Sequence, residues 1–216
     1  MWKYLKSIFN IKGQMPLTDF NTSKTIFTLK NLLCGIGKSE IREQEILISE
    51  YPFEPSVIYP TAFISAREIE CMSVDFTVCK IHVKNDIIFI TAEHKDKLKQ
   101  FAESNNIRLI SQSWNWDWIL EPYLDTEFTK ENEERCLARL VENGFSPTEI
   151  DEIRNEVKDQ MFAYNFDTML WDWCSLSLPD VLSAMRAKYS KEEFREFYKR
   201  ALIIEKRSAF SIISGK

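Results

Sequence analysis

The spacing of apolar side chains along the chain changes near residue 113. Before that point, short stretches repeat every second residue; after it, apolar positions recur every third or fourth. Glu45 to Tyr51 (EILISEY) alternates and predicts a strand. Phe76 to Lys84 alternates more clearly, and Asn85-Asp86 then reads as the two-residue turn of a hairpin. Ile87 to Ile90 is apolar on both faces, which predicts an interior strand. Thr91 is placed to cap a helix from Ala92 to Ser104 that buries Leu98, Phe101 and Ala102. Asn105-Asn106 ends it, and Ile107 to Ile110 returns as a strand. Further upstream, Ser23 predicts a helix from Lys24 to Cys34, and Pro52, Pro55 and Pro60 predict an extended loop.

From Ser113 the helical period takes over. Trp116, Ile119, Leu120, Tyr123 and Leu124 share one face, with Pro122 breaking the helix near Glu121. A helix from Lys130 to Glu142 should bury Cys136, Leu137, Leu140 and Val141, and Asn143-Gly144 stops it. Ser146-Pro147-Thr148-Glu149 is a capping box with proline at the first helical position, and Phe145 can pack on Ile150 across the cap. The helix that follows carries Ile150, Ile153, Val157, Met161 and Tyr164 on one stripe and runs to about Tyr164. Asp167 is read as the cap of a short helix holding Trp171-Asp172-Trp173. Ser177 and Pro179 start another, with Val181, Leu182 and Met185 inward. A second capping box at Ser190 begins a helix that buries Phe194, Phe197, Tyr198, Ala201 and Leu202.

The pattern predicts an α+β fold: an N-terminal α/β layer with an antiparallel hairpin, then an all-helical C-terminal half packed on it. The boundary divides the chain into residues 1–112 and 113–216, two subdomains in one body. Every strand of four or more residues should precede residue 113.

Charge sharpens the division. Residues 113–180 hold 16 Asp plus Glu against 5 Lys plus Arg, a net of −11, whereas the residues after them carry +5. The whole chain has net charge −5, which argues against phosphate-backbone binding. The five cysteines form no C-x-x-C pair and read as reduced, mostly buried thiols. No run approaches the roughly 20 apolar residues that span a bilayer. The basic, aromatic residues 1–12 read as a first helix docked on the domain, with a membrane-surface role as the alternative.

Candidate chemistry is sparse. Trp116-Asp117-Trp118 and Trp171-Asp172-Trp173 suggest an Asp117/Asp172 carboxylate pair walled by indoles, as a glycosidase-like hydrolase would use. The simpler reading is tryptophan filling gaps between short helices. Cys79 and His82 lie three apart on one strand and so point to opposite faces, which speaks against a shared zinc ion; both histidines read as surface residues. Asp86, Glu93 and Lys95 imitate a metal-nuclease signature, but the strand between the two acids sets them roughly 23 Å apart. The helical hairpin from Leu137 to Val157 resembles a helix-turn-helix, yet its second helix has net charge −3 from Thr148 to Asp159 and would be repelled by DNA. No pattern requires a cofactor or metal, no residue is assigned a catalytic role, and no motif ties the chain to a known family.

The expectation is therefore a cytoplasmic, non-enzymatic protein-binding module. Helix periodicity turns Glu131, Glu142, Glu152 and Asp159 outward, and a basic protein partner is expected on that face. A bacterial immunity protein or antitoxin that holds a basic toxin has this charge and size. Neither nucleic-acid binding nor stable membrane insertion is expected.

Overall fold

A computed structural model describes residues 34–75, 78–124, 129–167 and 175–208, without the side chains of 166 and 167. The helix expected over residues 24–34 lies, but for Cys34, outside these residues, as do Phe76, Thr77 and Trp171-Asp172-Trp173.

The fold is α+β. Strands β1 (Lys38–Ile41), β2 (Glu45–Ser49) and β3 (Ala62–Ser65) form one antiparallel meander. Strands β4 (Ile69–Ser73), β5 (Val78–Val83) and β6 (Asp86–Thr91) form a second. Six α-helices follow: α1 (Lys95–Ser104), α2 (Asn115–Leu120), α3 (Lys130–Glu142), α4 (Pro147–Asp167), α5 (Leu178–Lys188) and α6 (Lys191–Lys206). Among the described residues every strand precedes residue 113 and everything regular after residue 129 is helix.

Several local expectations need correction. The β5–β6 turn is Lys84-Asn85, not Asn85-Asp86: Val83 pairs with Asp86, Asn85 takes the left-handed conformation at φ 64°, and Asp86 begins β6. β6 is covered on both faces but stands at the edge of its sheet, with β5 in the middle. Its apolar run reflects that double cover. Tyr51, Phe53 and Ile58 of the proline loop are buried, and the Phe89 amide donates to the Tyr51 hydroxyl at 3.3 Å. Thr91 starts a 3-10 turn, Ala92–His94, but its side chain makes no capping bond. Ile107 to Ile110 is not a strand; a single parallel bridge joins Leu109 to Met72. Val141 is half exposed and Leu137 only partly buried, so α3 presents a narrower apolar stripe than expected. Asp167 is the last residue of α4 and not the cap of a new helix. The histidines are half-buried, not surface residues.

The capping signals at Ser146, Ser177 and Ser190 hold. The Ser146 Oγ accepts from the Glu149 amide at 3.1 Å, Ser190 and Glu193 complete a reciprocal box, and Ser177 with Asp180 forms another. One cluster of buried side chains draws on β2, β3, β4, β5, β6 and all six helices.

Short α2 is the hub of the helical half, packing on α3, α4 and α6. Trp116 is completely buried and its indole N–H donates to the Ala201 carbonyl of α6 at 2.9 Å. Asn115 donates to the Ile204 and Arg207 carbonyls, and Asn143 donates back to Asn115 Oδ1. The Arg154 guanidinium of α4 donates to the carbonyls of Trp118 and Ile119. A six-residue helix would be marginal alone; these bonds fix it by tertiary contact.

Candidate functional site: an acidic face over a buried ionic core

The acidic excess is distributed in three ways. Part of it is buried: Asp180 lies in the core, accepting from the Tyr164 hydroxyl at 3.0 Å and from the Ser177 amide and hydroxyl. Burial raises its carboxyl above the ordinary value, and the bonds from Ser177 and Tyr164 act against that. Part is neutralised by the basic end of the chain. Arg207 forks onto Glu149 at 2.8 and 2.9 Å, and Arg200 onto Glu156 at 2.6 and 3.1 Å, each from α6 or its end onto α4. The Arg207 hydrogen bonds hold the Glu149 carboxyl below its ordinary range.

The rest faces solvent on the α3–α4 hairpin. Glu131, Glu142, Glu152 and Asp159 are all exposed. Glu142 is tied to Arg139 at 3.1 Å within α3. Glu131, Glu152 and Asp159 form no ion pair among the described residues, and neither do their neighbours Glu133 and Asp151. Of the two cations of α4, Arg154 is turned inward onto α2, and Lys158 is exposed beside Asp159.

The proposed carboxylate pair is only half visible. Asp172 lies outside the described residues. Of the five tryptophans in the acidic segment, Trp114, Trp116 and Trp118 are described: Trp116 is buried and the other two half-buried. Asp117 sits in the first turn of α2 with Oδ2 shut away from solvent and without a hydrogen-bond partner. Burial pushes its carboxyl up to about 7; Lys80 opposes the rise, and Glu205 and Asp180 add to it. The clefts on the surface are lined by other residues. One, of 720 Å³, runs between the proline loop and α6, and another of 690 Å³ runs between the β1–β2 turn and α1; Asp117 lines neither.

Beneath α2 lies a feature that the alternation of β5 does not announce. Lys80 and Glu205 are both buried, at 1 % and 0 % side-chain exposure, and form an ion pair at 2.5 Å between β5 and α6. Glu205 Oε2 and the Ser73 hydroxyl, on the strand position opposite Lys80, have no hydrogen-bond partner. A second buried carboxylate, Asp86, accepts from the Ser56 hydroxyl at 2.6 Å, the Tyr198 hydroxyl at 2.7 Å, and the Ile87 and Val57 amides at 2.8 and 3.0 Å. These groups weld sheet, loop and α6 together and are closed to a substrate. Among the described residues, no group of three or more His, Cys, Asp or Glu side chains is placed to hold a metal ion.

No family model, curated protein or solved structure matches this chain. What the surface can do must therefore be read from its own geometry. No helix among the described residues is long and apolar enough to cross a membrane.

Asp117 makes the stability of the fold respond to pH. Unfolded, its carboxyl ionises near 3.8; folded, near 7. Between those values the folded chain holds the extra proton, so this contribution is full below the unfolded value and is lost as pH rises to about 7. His82 acts the other way. Burial, then Lys206 and Lys80, lower its imidazole from 6.5 to about 4, so its contribution falls as pH drops through that window. The two slopes oppose each other between about pH 4 and 6.5. Asp117→Asn removes one of them. At pH 8 the variant is expected to be more stable than the wild type by about 2 kcal/mol, below the roughly 4 kcal/mol ceiling of a fully buried group. Urea midpoints that shift equally with pH in both proteins would contradict this.

Proposed function

We propose that the chain is a cytoplasmic, non-enzymatic protein-binding module that takes a basic protein partner on its α3–α4 face and does not bind nucleic acid. Immunity proteins and antitoxins that hold a basic toxin are the class it fits best. The supporting observation is the exposure of Glu131, Glu142, Glu152 and Asp159 on consecutive helices, with Arg154 turned away from them. A face of exposed carboxylates, three of the four without an ion pair among the described residues, steers a cationic protein toward it and repels polyanions. The burial of Lys80 and Glu205 also favours binding over catalysis, because reacting groups must meet their substrate.

The test compares the wild type with the variant carrying Glu131→Lys, Glu142→Lys, Glu152→Lys and Asp159→Lys. All four positions are exposed, so the urea midpoint should change little. Tagged protein of each kind is used to capture partners from the native cell at low salt. The wild type should retain a basic protein that the variant loses. Retention of the same proteins by both, or of no basic protein by the wild type, would contradict the proposal.

A further inference from the structure

A second surface, of opposite character, lies between the proline loop and α6. Its cleft of 720 Å³ is lined by Pro55, Val57, Leu202 and Ile203, with Arg195, Lys199 and Lys206 along one side. Val57 and Ile203 are 64 % and 61 % exposed, the two most exposed large apolar side chains among the described residues. They face one cleft, which separates them from apolar residues scattered singly over a surface.

The charge around this floor is cationic. Arg195, Lys199 and Lys206 recur along α6 on the same side as Leu202 and Ile203. Glu54 at the cleft is already engaged by Arg195, and Asp86 is buried under four donors. Lys199 holds only the exposed Glu196, and Lys206 forms no ion pair among the described residues. From Arg195 to Lys206 the helix advances roughly 16 Å at 1.5 Å per residue, the length of about three helical turns. The cleft thus joins an apolar floor to a basic edge along α6.

We infer that this groove binds an acidic amphipathic segment of another protein, its apolar side chains on Val57, Leu202 and Ile203 and its carboxylates toward Lys199 and Lys206. Charge chooses this occupant over the chain's own terminal segments. Residues 1–33 carry five lysines against one aspartate, and residues 209–216 carry a lysine and no acidic side chain. Both are mismatched to a basic rim. Ile203 also borders a second cleft, of 310 Å³, that reaches Glu152 of the acidic face, so the two surfaces meet at α6.

The test is selection of displayed random peptides of about twelve residues on the immobilised full chain. The enriched sequences should combine Asp or Glu with two or more large apolar residues. A synthetic copy, followed by fluorescence anisotropy, should lose about tenfold or more in affinity against Ile203→Asp, and a similar factor against Lys199→Glu with Lys206→Glu at low salt. Ile203 is exposed, so its replacement leaves the fold intact; matching urea midpoints check this. Glu142→Lys should leave the peptide affinity unchanged, which keeps failure of this site distinct from failure of the acidic face. No enrichment, enrichment of basic peptides, or indifference to Ile203→Asp would overturn the inference. So would tighter peptide binding after removal of residues 209–216, which would make that segment the occupant. Ile203-dependent binding to phosphatidylglycerol vesicles without peptide binding would assign the groove to a membrane surface instead. Concentration-dependent self-association abolished by Ile203→Asp, again without peptide binding, would make a second copy the occupant.

Discussion

Replacing Glu205 by alanine is expected to destabilise the fold by about 3–5 kcal/mol, because it strands the Lys80 ammonium in the core. Both side chains are almost wholly buried, and Lys80 lies in the middle strand of its sheet, with no path to water short of moving β5 or α6. The pair itself is a different matter. Removing two charges from water costs nearly what their attraction returns, so the double variant Lys80→Met with Glu205→Leu should recover most of the loss. Glu205 Oε2 and the Ser73 hydroxyl have no hydrogen-bond partner in the wild type, which adds to the cost of keeping the charges. Urea unfolding of Lys80→Met, Glu205→Leu and the double variant gives the coupling directly. Equal stability of Glu205→Ala and the double variant would show that Lys80 finds another partner.

The second large effect is at Asp86. Asp86→Ala removes an acceptor that serves the Ser56 and Tyr198 hydroxyls and two amides at once. Each buried donor left without a partner costs about 1–3 kcal/mol, and water that enters the gap recovers part of it, so a total of about 3–4 kcal/mol is expected. Asp86→Asn should cost less, since the amide oxygen still accepts. Both should loosen the proline loop, because Ser56 and Val57 are held by this carboxylate. Hydrogen exchange of the Val57 amide reports it: protection should fall in Asp86→Ala beyond the change in global stability. Loss of stability with unchanged local protection at Val57 would place the role of Asp86 elsewhere.

These two groups also mark where the sequence could be read and where it could not. The helical half was legible because its apolar stripes are long and its starts are signalled, at Ser146, Ser177 and Ser190. The β5–β6 hairpin was legible from alternation, displaced by one residue at its turn because Asp86 resembles a turn residue and is a buried acceptor. Strands β1, β3 and β4 have four or five residues each and no clean alternation, too little for a period to appear. Lys80 falls on the polar face of its strand and reads as solvated; α6 covers that face. The signal for this was in α6. Phe194, Phe197, Tyr198, Ala201 and Leu202 define a buried stripe whose next position is Glu205, and a carboxylate there demands a buried cation. Arg154 follows the same rule on the stripe of Ile150, Ile153 and Val157. The outward placement of Glu131, Glu142, Glu152 and Asp159 was legible from periodicity alone. The neutralisation of Glu149 and Glu156 by Arg207 and Arg200 was not, because it joins residues 44 and 58 positions apart.

That neutralisation leaves Glu131, Glu142, Glu152 and Asp159 as exposed carboxylates of the hairpin, where association kinetics test the proposed function most directly. The basic protein captured by the wild type is mixed with the wild type and with the fourfold Lys variant at about 50 mM and about 300 mM salt, and the association rate is recorded by stopped flow. Steering by Glu131, Glu142, Glu152 and Asp159 requires the wild-type rate to fall steeply with salt and the variant to associate at least about tenfold more slowly at low salt, with a flattened dependence. Equal rates for the two proteins at both salt concentrations, with both folded, would contradict the assignment of this face as the recognition surface.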